Sequence, residues 1–471
     1  MDWFIFWIIV YLVVIIALTI RHIRNSDVEG YLINNRNTAT LPLVFTTLAT
    51  FVGGGTSIGL MALGYESGFA AVAIGIAYVI GFIILSRYAG LIQEEGKRFN
   101  IYSFTEYLNR AYLKKHKLAL FPRLFSSLVN GVNIFIFFFL LAAQFVAMAS
   151  ILELTFNIGY LYAAIISCLV VIGYTAFAGL AGVIITDMLQ FVVILIMIGI
   201  IFIPGVLSDT EGLTRLSELP PKMLNGTFYG VVFLVALPLF LAPSVMVRMD
   251  IWQRVLAAKN RKAAKRMSII SGAGMLPFYL IFPLVGMAIR LNHGQGINPN
   301  DVTYLFLSDH STPFLLGFAI IGLLAALMSS GDSFLNIISL SAVRDFVGWK
   351  DRSKEIPKEK VRKNIRIAVW FFGFFAMFMA LALPKIVDLM VMGLATIVIF
   401  VPVTFLALIK KDVYKYKYDA FFSVAAGFIV NLAFFIYGVA CPEQFDPKSS
   451  FIPAFLIALA TLLTGIRFRR K

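Results

Sequence analysis

Apolar runs of about twenty residues recur along this chain from residue 3 to residue 466, and no other feature narrows the fold as far. A run of that length crosses bilayer hydrocarbon as an α-helix, which keeps its backbone hydrogen bonds internal where no water can supply them. The runs predict an all-α polytopic membrane protein of about 13 transmembrane helices. They lie at 3–20, 40–62, 69–90, 124–149, 159–178, 183–204, 227–247, 268–289, 314–343, 367–383, 387–409, 418–438 and 452–466. Hydrophobic residues make up 60% of the chain and charged residues 14%, far from the balance of a soluble domain. The first run has no basic stretch before it and no small-residue cleavage site, so it reads as a retained span. The longest cytoplasmic segments, about 91–123 and 344–366, are too short for separate domains, and residues 1–471 read as a single transmembrane domain.

The formal net charge of +15 raises nucleic-acid binding, and the distribution of that charge argues against it. With the N-terminus placed outside, all but Arg215, Lys222, Arg290, Lys385 and Lys448 of the 40 lysines and arginines fall on the cytoplasmic side. The positive-inside rule asks for that asymmetry, and such loops meet the anionic inner leaflet. We therefore expect a multi-pass protein of the cell (plasma or inner) membrane, N-terminus outside and C-terminus cytoplasmic. The lipid bilayer is its surrounding partner; no nucleic acid and no obligate protein partner is expected. Cys168 lies within a span and Cys441 in a loop, which fits neither a disulfide nor a cysteine metal framework. His22, His116, His293 and His310 fall in loops, against a histidine relay. No Ser/His/Asp constellation, phosphate loop or metal-ligand spacing appears, so an enzyme is not expected.

Polar residues interrupt the apolar runs at a few places. The second span carries Ala49-Thr50-Phe51-Val52-Gly53-Gly54-Gly55-Thr56-Ser57. Each glycine inside a helix costs about 1 kcal/mol relative to alanine, which makes an interruption cheap. The carbonyls so freed need a partner, and a cation or polar solute can serve; close helix packing through small residues is the alternative. The seventh span carries Pro238 and Pro243 in the stretch Leu237–Ser244, which predicts a second interruption. If five spans repeat as five, spans 2–6 (about 40–204) and 7–11 (about 227–409) have opposite orientation, with spans 1, 12 and 13 extra. Each half then opens with a broken helix, the arrangement that points to a binding site at the membrane midplane. The repeat rests on topology, since the halves share no convincing residue identity.

In the ninth span Ala326, Ser329, Ser330 and Ser333 follow an i, i+3, i+4, i+7 spacing and share one helix face, with Asp332 and Asn336 beside it. Asp187 lies about one turn inside the sixth span. Intramembrane carboxylates usually mark function. Asp187 reads as a cation ligand, a proton site or a carboxylate reaching the interface; Asp332 reads as part of an ion path or as a bridge between helices. The stretch Asp250–Asn260, with Arg261, Lys262, Lys265 and Arg266 after it, reads as a basic amphipathic helix lying at the interface.

Together these stretches resemble the sodium:solute symporter family. Gln253-Arg254 followed by Leu256-Ala257-Ala258-Lys259 resembles its QR-x-LAAK segment. Gly179 to Gln190 resembles its G-x-x-x-V-x-x-TD-x-x-Q segment, and Ala325 to Asn336 its AA-x-x-SS-x-DS-x-LN segment. The three matches stand in the right order, and the resemblance covers residues 2 to 467. It implies a LeuT-type inverted-repeat fold and Na+-coupled uptake of a small organic solute by alternating access, with Na+ as the coupling ion. It also implies one Na+ site built from the carbonyls of Ala49, Val52 and Ala326 and the hydroxyls of Ser329 and Ser330, oxygen ligands of the kind a hard cation takes. Some members have a further Na+ site, at positions matched here by Asp187, Ser329 and Ser333, with Asp332 standing where that site can use a hydroxyl.

The solute is expected at the level of Gly53, Gly54, Gly55, Thr56 and Ser57, with Asn133 and Ser244 as further contacts. The run from Val52 to Gly55 is similar to that of choline-transporting relatives, and some of the 45 phenylalanines could form a cation–π cage. No lysine or arginine falls within a span near the midplane, which disfavours acidic solutes. Proton-coupled symport through Asp187, an ion channel, and a transporter-like membrane sensor are the alternatives. A sensor would carry an added cytoplasmic domain, whereas this sequence stops at Lys471, shortly after Arg467.

Overall fold

Each of those apolar runs is helical in the computed structural model, which describes residues 2–23, 28–113, 120–347, 358–410 and 412–468. The architecture is carried by α1 (Asp2–Ile23), α2 (Thr40–Phe51), α3 (Gly54–Ser67), α4 (Val72–Phe99), α5 (Leu120–Phe156), α6 (Tyr160–Met197), α7 (Val231–Ser244) and α8 (Met249–Ala257). It continues with α9 (Arg261–His293), α10 (Pro313–Leu340), α11 (Lys358–Ala382), α12 (Ile386–Ile397), α13 (Val401–Ile409), α14 (Lys417–Ala440) and α15 (Phe451–Phe468). Among the described residues, nine helices are long and apolar enough to cross a membrane; shorter apolar helices lie at Trp3–Leu18, Thr40–Phe51, Tyr160–Ala176 and Leu237–Val247.

The helix α10 is the core. From Ala319 to Leu340 every residue is buried, packed by α2, α5, α6 and α11. A helix enclosed on all sides must satisfy its polar side chains within the protein, so the serine face found in the sequence is committed to protein contacts.

The span broken by glycines is broken in the fold. The chain leaves α2 at Phe51, and Val52 N–H still reaches Leu48 O at 3.0 Å. Helix α3 then restarts at Gly54, with the N–H groups of Thr56 and Ser57 on Gly53 O at 2.7 and 3.0 Å. Close approach demands glycine at position 53. A Cβ there would stand 1.9 Å from Ser330 Oγ and 2.6 Å from Ser330 Cβ. A second close approach joins α3 to α9, where a Cβ on Gly286 would fall 2.0 Å from Met61 O; small residues let such membrane helices touch backbone to backbone.

Helix α6 has two legs, Tyr160–Ala176 and Leu180 onward, and doubles back in space between them. Val171 lies 3.7 Å from the place of a Gly331 Cβ, while Ser329 bonds Asp187 at 2.6 Å. A straight helix would hold Val171 and Asp187 about 24 Å apart, so the chain reverses between them. The first leg runs parallel to α10, with Tyr174 reaching Asp332. The second runs back, with Met197 meeting Gly322.

Two expectations need correction. Leu237–Ser244 is not unwound: α7 continues through Pro238 and Pro243, and the break falls later, where the turn Val245–Val247 hands over to extended Arg248. Proline removes one donor, but surrounding groups in a membrane protein can take up the freed carbonyl, so a proline need not end the helix. The segment beginning at Asp250 is not interfacial either, because every residue of α8 is buried. The apolar side chains of α8 surround its two ionic groups, Asp250 and Arg254, and both find partners inside. The surface begins after it, at Asn260, whose side chain caps α9 by accepting from Ala263 N–H at 2.9 Å.

Candidate functional site

Two oxygen clusters and one cavity lie where the α2–α3 break meets α10. The first cluster is neutral. A helix end leaves its last carbonyls without an intrahelical donor. Of those at the end of α2, Thr50 O accepts from the Ser330 hydroxyl at 2.7 Å. Ala49 precedes it in the same turn, and Val52 follows in the break. Ser330 Oγ also lies 3.4 Å from Ala326 O. Ala49, Val52, Ala326, Ser329 and Ser330 are all buried, on the two helices and the break that the Ser330–Thr50 bond joins. Among the described residues no three His, Cys, Asp or Glu side chains gather as a metal cage.

The second cluster is charged. Asp187 accepts from Ser329 Oγ at 2.6 Å and from the Thr46 hydroxyl. Arg254 enters it from the buried helix α8. Its Nη2 faces Thr46 O at 3.2 Å, Thr46 Oγ1 at 3.0 Å, Ser333 Oγ at 3.2 Å, Asp187 Oδ2 at 3.4 Å and the Thr50 hydroxyl. Those are more oxygens than two protons can serve, so the guanidinium sits as a cation in an oxygen shell. Asp187 and Arg254 are 0% and 1% exposed. Breaking a buried pair of this kind strands a charge at a cost of about 3–5 kcal/mol. Asp332 stands apart from this group, with Oδ2 accepting from the Tyr174 hydroxyl at 2.7 Å on the first leg of α6.

A small cavity opens beside the neutral cluster. Thr50, Phe51, Gly53, Thr56, Tyr78, Gln144, Arg248, Ser330 and Phe334 are on its wall. Ser330 and Thr50 belong to the cavity and the neutral cluster at once. Thr56 Oγ1 lies 3.4 Å from the Tyr279 hydroxyl, and Gly54 and Gly55 open α3 behind the break. The remaining expected contacts point elsewhere. Ser57 Oγ bonds Gly53 O at 3.3 Å, Asn133 Nδ2 donates to Ser341 Oγ at 3.0 Å, and Ser244 Oγ donates to Leu241 O at 2.6 Å.

Sequence reasoning missed Arg248, which it counted in the cytoplasmic basic cluster, and Arg254, which it assigned to an interfacial helix, together with Tyr78, Gln144, Thr46 and Phe334. One signal was present: residues 249–258 contain no lysine, whereas a solvated basic face begins only at Lys259. Arg248, one residue past the seventh span, nevertheless brings a cation to the cavity wall. Its guanidinium covers the Phe51 ring at 4.2 Å, so the aromatic face best placed to hold a cationic solute already holds a protein cation.

A model of the sodium:solute symporter family matches residues 31–416. Sodium/proline symporter 2 of Staphylococcus saprophyticus subsp. saprophyticus is 26% identical over 357 residues, covering 71% of this chain and 66% of that protein. A sodium/proline symporter of Staphylococcus aureus is 25% identical over 378 residues, covering 75% of this chain and 70% of that protein. Among solved structures, a Na+-coupled sialic acid symporter in a substrate-bound outward-open state matches with a TM-score of 0.77 and 18% identity, over 98% of both chains. At that identity the likeness speaks of the fold alone.

Proposed function

We infer the function from one premise: this chain belongs to the sodium:solute symporter family. We propose that it is a secondary active transporter of the cell membrane that couples Na+ influx to uptake of a small organic solute by alternating access. The observation that carries this is Ser330. Its hydroxyl bonds the end of α2 at 2.7 Å and lines the cavity as well. Na+ held by the carbonyls of Ala49, Val52 and Ala326 and the hydroxyls of Ser329 and Ser330 would tie α2 to α10 and shape the cavity wall in the same act. An ion that favours one arrangement of two helices biases the equilibrium between states, which is what coupling requires. The solute binds in the cavity, against Gly53 and Thr56.

A single Na+ per cycle suits this chain. The Asp187, Ser329 and Ser333 position, where a second Na+ would go, is filled by Arg254, and Asp332 faces Tyr174 instead. Asp187 is likewise committed to the guanidinium rather than free to shuttle protons. We read the topology as about thirteen spans with an N-terminus outside, a cytoplasmic C-terminus and a five-plus-five inverted repeat. The sodium/proline relatives make amino acids the first solutes to try. In proteoliposomes, an inward Na+ gradient should drive concentrative uptake of a radiolabelled solute, and replacing Na+ by K+ should abolish it. Uptake driven equally well by a proton gradient in K+ would contradict the proposal.

A further inference from the structure

Arg248 has no role in holding Na+, yet it is a buried charge on the wall of the solute cavity. It is 5% exposed and lies at the displaced break after α7, where the extended backbone turns it inward. Its Nε and Nη2 edge grips Asp250, at 3.0 Å to Oδ1 and 2.7 Å to Oδ2. Asp250 is not on the cavity wall. The guanidinium thus stands between a carboxylate behind it and the cavity in front. Among the described residues no carboxylate or carbonyl acceptor is found for Nη1, and the Tyr78 phenol is a neutral hydrogen-bonding neighbour of the guanidinium that an oxyanion could replace.

A buried ion pair gives little stability against an apolar pair of the same volume, so the fold gains little by placing one here. A guanidinium fork with one edge spent and one edge open is suited to a second oxyanion. No acidic side chain lines the cavity among the described residues, so nothing there answers a cationic solute. The body of the solute has apolar walls to meet in Leu140, Phe334, Met390 and Leu394.

We propose that Arg248 is the anion receptor of the solute site and that the transported solute is a small organic carboxylate, bound through the open Nη1 edge while Asp250 holds the other. This rests on the solute-site reading above and deepens it.

The test uses purified full-length protein and thermal stability in Na+ or K+. The probes are matched pairs: L-proline and L-prolinamide, lactate and lactamide, pyruvate and pyruvamide, nicotinate and nicotinamide, with choline as the cationic control. At least one carboxylate should stabilise the Na+-loaded protein where its amide does not. Arg248→Gln should weaken that carboxylate by roughly tenfold to a hundredfold, the worth of a lost bond to a charged group, while stabilisation by Na+ alone persists. Because Arg248→Gln strands Asp250, the paired variant Arg248→Gln/Asp250→Asn, which leaves no orphan charge, should show the same loss. Stabilisation by choline or by the amides, no response to any carboxylate, or full carboxylate affinity in the paired variant would overturn the inference and leave Na+ coupling standing. Loss of the Na+ effect itself in the wild type would instead remove the symport reading beneath it.

Discussion

The neutral and charged clusters on α10 lie within a turn of each other and follow opposite physical logic. Ser330 bonds carbonyls, which its hydroxyl can do when no ion is present, as it does with Thr50 O, while Ser329 beside it turns its hydroxyl to Asp187. Around Asp187 there is a carboxylate, which cannot be left alone in a low-dielectric interior without a penalty of several kcal/mol. The protein therefore keeps a permanent counter-charge there, Arg254, tied to its own helix by Nη1 on Asp250 O at 3.0 Å. A site that fills and empties every cycle has to tolerate being empty. By that criterion the neutral cluster can serve as a coupling site, and the charged one is a joint.

The sharpest way to break this contrast is to remove the counter-charge. Arg254→Ala should destabilise the protein by about 3–5 kcal/mol, read by denaturation in detergent. Adding Asp187→Asn to it should return most of that loss, because no uncompensated charge then remains. A full loss in the double variant would mean that Arg254 matters for packing rather than for charge. Next in size is Gly53→Ala, which forces a methyl into Ser330 Cβ. Relief of such an overlap costs about 1–3 kcal/mol, and since it must separate α3 from α10 it should remove Na+-dependent uptake. Ser330→Ala deletes one ligand and should weaken Na+ by about tenfold, on the scale of a single hydrogen-bonding group, as measured by the Na+ concentration for half-maximal thermal stabilisation. The smallest effect should come from Tyr174→Phe. It removes one bond to Asp332, worth about 0.5–1.5 kcal/mol in stability, and leaves the Na+ response unchanged because Asp332 belongs to neither cluster.

Much of this was legible in the chain. The break at Gly53 followed from glycine cost, and the serine face of α10 followed from helical spacing alone. The reversal in α6 was legible as two apolar runs flanking Gly179–Gly182, the two legs Tyr160–Ala176 and Leu180 onward. What stayed hidden depended on tertiary placement. Periodicity assigns a basic segment to the surface, and only the fold shows α8 tucked inside, delivering Arg254 to Asp187 and leaving Arg248 at the cavity. For the same reason Asn133 looked like a cavity residue by depth, yet it turns toward Ser341. The prolines of α7 misplaced a break because proline marks a weakened turn, not the place where the chain unwinds.

The central claim is tested most directly by counting radiosodium bound per purified chain at saturation. The account predicts one Na+ in the wild type, with binding weakened by Ser330→Ala and the count unchanged by Arg254→Ala/Asp187→Asn. Two Na+ in the wild type, with one of them lost in that double variant, would contradict it.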